Sequence, residues 1–74
     1  MVTAYVLCGV SPGSERIVLK KLREISEEAH IIYGQYDIIA KITVDQCEDL
    51  EEFIFDKLRT IDEVQHTETW IAMD

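Results

Sequence analysis

Two apolar runs separated by a glycine-led turn constrain the fold of this chain more than any other feature. Residues 29–33 form the first run, Gly34 leads the turn, and residues 38–44 form the second run directly after the acidic Asp37. This pattern predicts a β-hairpin. The tip combines a glycine with an acidic residue, which is more than a hairpin turn requires. We therefore expect any binding site of the protein to lie near this tip.

The size of the chain predicts one domain that associates with a second copy. A domain of 74 residues buries only about 60% of the surface that its unfolded chain exposes. Yet 47% of its residues are hydrophobic, which exceeds what so small a core consumes. We therefore expect residues 1–74 to form a single domain with a second apolar surface buried against another copy.

Charge and cysteine content narrow the function further. A net charge of −8 argues against direct binding of nucleic acid or anionic membranes, because both depend on Lys and Arg. The N-terminus has no signal-peptide pattern and the chain no long apolar run, so we expect a cytoplasmic location. Cys8 and Cys47 lie outside any CxxC spacing, which favours two isolated buried thiols over a disulfide.

The order of predicted elements is βαββαβ. Residues 2–10 alternate as a strand, and a helix follows to about Ser26, with Ser11 as candidate cap and Pro12 in its first turn. Asp45 is the candidate cap of the second helix, with Glu48 reaching back to it. The apolar stripe of that helix comprises Leu50, Phe53, Ile54, Leu58 and Ile61. A last strand is predicted over residues 64–73.

This order predicts an α+β, ferredoxin-like fold. Two interleaved crossover units give a four-stranded antiparallel sheet with both helices on one face. Tyr5 and Leu7 make the other face of the first strand apolar. We therefore predict that two copies dimerise sheet-to-sheet through these residues, as a dimeric α/β barrel.

No pattern in the chain is typical of catalysis or metal binding. GxSxG, HExxH and glycine-rich phosphate loops are missing, and His30 and His66 are better read as edge or surface residues. We therefore predict no enzyme, no metal and no cofactor. Asp37 has two open interpretations: it stabilises the turn through local amides, or it helps to bind a polar ligand at a subunit interface.

The last predicted strand carries two further candidate features. Trp70 is typical of a core or interface residue. Thr67 and Thr69 share one face of the strand, and buried hydroxyls without partners are costly there. We expect these hydroxyls to bond across subunits or to a ligand.

Several segments of the chain resemble those of a known protein family. Gly34-Gln35-Tyr36-Asp37, the run at 38–41 and the ending over residues 64–73 are similar to the RAM domain (regulation of amino acid metabolism). That domain is the C-terminal effector domain of the Lrp/AsnC (leucine-responsive regulator) transcription factors. The resemblance covers essentially the whole chain.

The resemblance implies an amino-acid effector module of transcriptional regulation. Such domains pair through their sheets and assemble into octameric or decameric rings, with effectors bound where dimers meet. By matching position, the ligand-binding residues are Gly34, Tyr36 and Asp37 in the tip, followed by Thr69, Trp70, Ile71 and Ala72 in the last strand. Glycine permits close approach of a ligand to the backbone, and an aspartate can bind an ammonium group. No cation in these segments is an obvious partner for a carboxylate.

The chain also differs from the family regulators in one respect, and two other interpretations of its function compete with this one. Family regulators carry an N-terminal helix-turn-helix domain, whereas here the first strand begins at Val2. We expect a stand-alone domain without DNA-binding domain, which could co-assemble with full-length Lrp/AsnC regulators. The alternatives are a small dimeric α/β-barrel enzyme, of the monooxygenase or isomerase kind, and an ACT-like regulatory module.

Overall fold

The computed structural model describes all residues from Met1 to Asp74. Its elements are β1 (Val2–Val10), α1 (Glu15–Ile25), β2 (Glu28–Ile31), β3 (Ile38–Val44), α2 (Cys47–Glu52) and β4 (Val64–Ile71). After α2 the chain continues as a π-helical turn, Phe53–Lys57, and a 3-10 turn, Leu58–Thr60. The sheet order is β2-β3-β1-β4, and every pairing is antiparallel. The predicted ferredoxin-like α+β fold is confirmed.

The core lies between one face of the sheet and the two helices. Ala4, Val6 and Cys8 of β1 are fully buried and pack with Val18 and Leu22 of α1. The helical segment after β3 adds the buried residues Leu50, Phe53, Leu58 and Ile61. Each such aliphatic or aromatic side chain contributes about 1.5–3 kcal/mol when fully buried. Four of the five residues of the stripe predicted for this segment are therefore in the core, Ile54 packs against it while only partly buried, and Phe55 lies outside it, 53% exposed.

The opposite face of the sheet carries no helix. Tyr5 on β1 stands directly across from Trp70 on β4, and Leu7 lies on the same face as Tyr5 because alternate residues share a face. Ile39 of β3 pairs with Leu7 and extends the apolar surface. Trp70 remains 56% exposed. We refer to this surface, defined by Tyr5, Leu7, Ile39 and Trp70, as the open sheet face; Leu7 itself is only 7% exposed, so its accessible area comes mainly from the other three residues.

The start of α1 differs from the prediction. The helix begins at Glu15 with Ser14 as its N-cap, rather than at Pro12 behind Ser11. Ser11 Oγ lies 2.9 Å from Ser14 Oγ, and the Ser14 N–H donates to the Ser11 carbonyl at 3.0 Å. Ser11 therefore closes a turn before the helix, and its hydroxyl caps no helical amide.

The start of α2 is shifted by one residue. Gln46 is the N-cap, and its backbone N–H donates to Asp49 Oδ2 at 3.2 Å. The prediction of Asp45 as cap and Glu48 as its partner is wrong. Both roles move one position along because the chain turns for two residues after β3 before the helix begins at Cys47.

The two cysteines have different environments. Cys8 is buried in the core, and burial raises the pKa of its thiol to about 11. Cys47 is exposed as the first residue of α2. The prediction of two buried thiols is therefore wrong for Cys47. Separately, no helix of the structure combines the length and the apolarity needed to span a bilayer.

Candidate functional site

The tip between β2 and β3, residues 32–37, folds against the end of β1. The Asp37 N–H donates to the carbonyl of Cys8 at 2.9 Å. The Val10 N–H donates to Asp37 Oδ2, also at 2.9 Å. Asp37 thus holds the tip on β1 with both its backbone and its side chain. The side chain of Asp37 therefore stabilises the tip through a distant strand rather than through amides of the turn, while its carbonyl accepts from the Ile32 N–H within the tip at 2.9 Å.

The second carboxylate oxygen of Asp37 has no such partner. The side-chain hydrogen bond of this residue uses Oδ2 alone, and Asp37 forms none of the structure's ion pairs. Oδ1 is therefore available to a donor from outside the protomer. The stabilising and the ligand-binding interpretations of Asp37 are compatible because each uses a different oxygen.

Tyr36 connects the tip to β4. Its ring packs on the imidazole of His66 with 5.5 Å between centroids and 52° between planes. His66 pairs with Gly9, and a Cβ at position 9 would overlap the imidazole ring. The ring can cross the strand only because residue 9 is glycine. The position of His66 at the tip was not predicted from the sequence, although a glycine inside a strand is a signal of such close approach.

Gly34 lies at the exposed apex of the tip. Its φ of +154° is one that residues with a side chain rarely adopt, and no atom lies within 4 Å of the position of a Cβ. The backbone conformation therefore accounts for glycine at this position. The open space leaves the main chain accessible to a ligand or to a neighbouring copy.

The second predicted segment lies at the other end of the sheet. Thr69, Trp70 and Ile71 pair with Val6, Tyr5 and Ala4. The Ala72 N–H donates to the Thr3 carbonyl at 2.9 Å. The tip instead contacts Cys8 and Val10. These lie two to seven residues along β1 from the partners of the second segment, so strand rise separates the two segments by roughly 7–23 Å. One protomer does not bring the two predicted parts of the ligand site together.

The residues of this second segment also face in two directions. Trp70 lies on the open sheet face with Tyr5, whereas Thr69 and Ile71 lie on the helix side, since their partners Val6 and Ala4 are in the core. Thr67 shares the side of Thr69, and both are half-buried at the sheet edge. Their hydroxyls form no hydrogen bond within the protomer, so the prediction of partners outside it stays open.

Two surface clefts accompany these segments. The larger, about 420 Å³, lies between the end of α1 and α2 and contains none of the predicted site residues. The second, about 400 Å³, lies at the start of β4 and is lined by Arg59, Val64, Gln65, His66 and Thr67. Because His66 contacts Tyr36, the second cleft adjoins the tip. Neither cleft was predicted from the sequence.

One acidic residue beside the second cleft is already paired. Glu63 precedes β4, and its Oε1 lies 3.3 Å from Lys21 Nζ. A hydrogen bond from its own backbone, together with Lys21, lowers the pKa of Glu63. This carboxylate is therefore charged at neutral pH, and its charge is balanced by α1.

Comparison with known proteins matches the chain to one family of transcriptional regulators. The family model for the Lrp/AsnC ligand binding domain matches residues 3–74. An uncharacterized HTH-type transcriptional regulator of Pyrococcus furiosus is 38% identical over 72 residues, which cover 95% of this chain and 49% of that protein. The chain spans about half the length of the curated relatives that it matches.

Solved structures share the fold over nearly the whole chain. A hypothetical protein from Pyrococcus horikoshii is 42% identical with a TM-score of 0.93, covering 100% of this chain and 92% of that chain. The AsnC protein of E. coli is 29% identical, also with a TM-score of 0.93, covering 99% of this chain and 51% of that chain.

Proposed function

This chain belongs to the Lrp/AsnC ligand-binding domain family, and we propose that it is an amino-acid-binding module that controls the assembly of transcriptional regulators. The observation that carries the proposal is the match of residues 3–74 to a ligand-binding domain whose curated relatives are transcriptional regulators. Those relatives support a regulatory role rather than a catalytic one. The net charge of −8 favours action through protein partners over direct binding of DNA.

The proposed effector site lies between copies of the chain. The tip, with Gly34, Tyr36 and Asp37, would come from one copy, and the segment with Thr69, Trp70, Ile71 and Ala72 from another. The distance between these segments within one protomer supports this arrangement. Asp37 Oδ1 would accept a hydrogen bond from the ammonium group of the amino acid, a charge-assisted contact.

The proposed assembly begins at the open sheet face. Tyr5 and Leu7 would pair two copies, and exposed Trp70 would be buried with them. Lys41 and Glu68, which lie across from Tyr5 and Leu7 on the same face, would need polar partners in the interface. Dimers would then form an octameric or decameric ring, alone or with full-length Lrp/AsnC regulators. An effector between dimers shifts such an equilibrium only through its different affinity for the assembled and separated states.

The direct test is a thermal-shift panel of the twenty amino acids. A specific ligand at about 100 times its dissociation constant should add roughly 2.7 kcal/mol of stability. Asp37→Asn should abolish that shift because it removes the charge that meets the ammonium group. It should leave the ligand-free melting temperature close to that of the wild type, since the amide oxygen still accepts from Val10. Asp37→Ala would confound the two effects by removing the Val10 contact.

The matched control is Asp45→Asn, a change at an exposed aspartate without hydrogen-bond partners. It should retain the ligand response of the wild type. Sedimentation with and without the responding amino acid reports the change in assembly. A protein that forms rings yet responds to none of the twenty amino acids would contradict the proposed effector function.

A further inference from the structure

The second cleft, at the start of β4, has a composition unlike the rest of this acidic molecule. It is lined by Arg59, Val64, Gln65, His66 and Thr67 and contains no Asp or Glu. The chain as a whole has 15 acidic residues against seven Lys and Arg. A cleft of about 400 Å³ that collects cationic and neutral hydrogen-bonding groups is therefore a local reversal of the molecular charge.

Arg59 has an aromatic partner but no acidic one. Its Cζ lies 4.6 Å from the centroid of the Phe55 ring, a cation–π contact that holds the guanidinium over the ring. None of the three ion pairs of the structure includes Arg59, and no side-chain hydrogen bond does. The contact with the ring uses none of the guanidinium N–H groups in a hydrogen bond to an acceptor of the protein, so these donors remain free for a planar acceptor.

The remaining wall of the cleft supplies further donors. Gln65 has an amide and Thr67 a hydroxyl, and neither side chain is engaged by another group of the protein. β4 is an edge strand, so alternate N–H groups on its outer side have no partner in the sheet. Two acidic residues flank this wall in the sequence. Glu63 is bound to Lys21, and Glu68 pairs with Leu7 and so lies on the open sheet face, opposite to Thr67. The cleft is thus equipped to bind an oxyanion.

We propose that this cleft is a carboxylate-binding subsite, with Arg59 as the principal contact and Gln65 and Thr67 as further donors. Its identification with the carboxylate of an amino-acid effector rests on the function proposed above. The location fits that use, because His66 lines the cleft and also packs against Tyr36 of the tip. Arg59 supplies the cation that the segments matched to the family lack.

The subsite can be tested without knowing the effector. Sodium acetate, sodium phosphate and sodium chloride are titrated at constant ionic strength into the ¹⁵N-labelled protein, and the signals of the Arg59 side chain and of the Gln65 and Thr67 amides are followed. Acetate should shift these signals in a saturable manner, and chloride should not. Arg59→Gln should abolish the response, whereas Arg16→Gln, at an exposed arginine of α1, should retain it.

Three results would overturn the proposal. The first is the absence of a saturable acetate response. The second is an equal response in Arg59→Gln, and the third is binding of phosphate at least tenfold tighter than acetate, which would identify a phosphate site. Arg59 is exposed on a helical turn, so its replacement leaves the core intact. The melting temperature of Arg59→Gln checks this directly.

A second measurement separates the subsite from the effector function. The amino acid that stabilises the wild type in the panel should bind Arg59→Gln about 10- to 100-fold more weakly, as expected for loss of a charged hydrogen-bond partner. Its amide derivative, which has no carboxylate, should show the same weakening with the wild type. Equal affinity of the amino acid for both proteins would overturn the subsite and leave the effector function standing. Saturable acetate binding without a response to any amino acid would support the subsite and contradict the effector function.

Discussion

Gly9 is the residue that joins the tip to β4. Every side chain at this position would occupy the space of the His66 imidazole, which in turn packs on Tyr36. The register of β1 with β4 also shifts between Gly9 and Val10, so the strand is irregular at the same point. A single glycine therefore determines whether three separate segments of the chain meet.

Gly9→Ala should destabilise the protein through His66. The new methyl group must displace the imidazole, which is exposed and can rotate away, so the expected cost is that of a less favourable rotamer and the lost Tyr36 contact, about 0.5–1.5 kcal/mol. In a His66→Ala background the same change should cost less than about 0.5 kcal/mol, because the obstructing ring is gone. A double-mutant cycle measured by urea denaturation gives the coupling energy. Equal costs in both backgrounds would show that the close approach is not what requires glycine.

At the scale of elements, the sequence predicted strands well where alternation persists and poorly where apolar residues merely continue. β1 has the predicted bounds because both of its faces are packed or paired along its whole length. β2 ends at Ile31 and β4 at Ile71, whereas Tyr33 and Met73, 105% and 93% exposed, are apolar residues outside any strand. Apolarity alone does not supply a hydrogen-bonding partner, and pairing decides where a strand ends.

The candidate site was less predictable than the elements. The sequence singles out Tyr36 and Asp37 as candidate site residues, which stays a prediction; the structure shows that they contact β4 and β1 respectively. The cleft could not be predicted, because its wall joins β4 to a π-helical and a 3-10 turn whose geometry orients Phe55 and Arg59. Residues four apart lie on one side of an ordinary helix as well, but the sequence does not show which side faces β4.

The N-terminus of α2 offers a test at this scale. Asp49→Ala removes the carboxylate that accepts the Gln46 N–H and should cost about 1 kcal/mol, the typical value for loss of a helix cap. Glu48→Ala is the matched control, since Glu48 is also an acid of the first turn but has no such contact. Its cost should be only the weaker macrodipole contribution, about 0.3–0.5 kcal/mol. Chemical denaturation measures the unfolding free energy of both variants. Equal losses of stability would contradict the role of Asp49.

On the scale of the whole molecule, the sheet has one covered and one uncovered face. The covered face holds nearly all of the buried residues, and the open sheet face presents Trp70 beside Tyr5. A folded chain of this size with 47% hydrophobic residues keeps part of that apolar surface in contact with water unless a partner covers it. The proposed sheet-to-sheet dimer accounts for this surface.

Trp70→Glu should therefore prevent association. A carboxylate in a buried sheet interface costs several kcal/mol, which corresponds to association weakened by more than about 100-fold. Ile17→Glu is the control, because Ile17 is exposed to a similar extent, 53% against 56%, but lies on α1 away from the open sheet face. Sedimentation velocity should give monomers for Trp70→Glu and the wild-type size for Ile17→Glu. The same large species in both variants would contradict the proposed interface.

The separation along β1 of the two segments proposed to bind the effector has a consequence for how the response depends on protein concentration. A pocket completed by a neighbouring copy exists only in the fraction of molecules that have met that neighbour, and apparent affinity falls in proportion to that fraction. The amount of protein in the cell would then set the sensitivity of the sensor, so that scarce protein requires more of the small molecule for the same occupancy. A change in gene dosage would then alter the occupancy of the proposed site as directly as a change in effector concentration does.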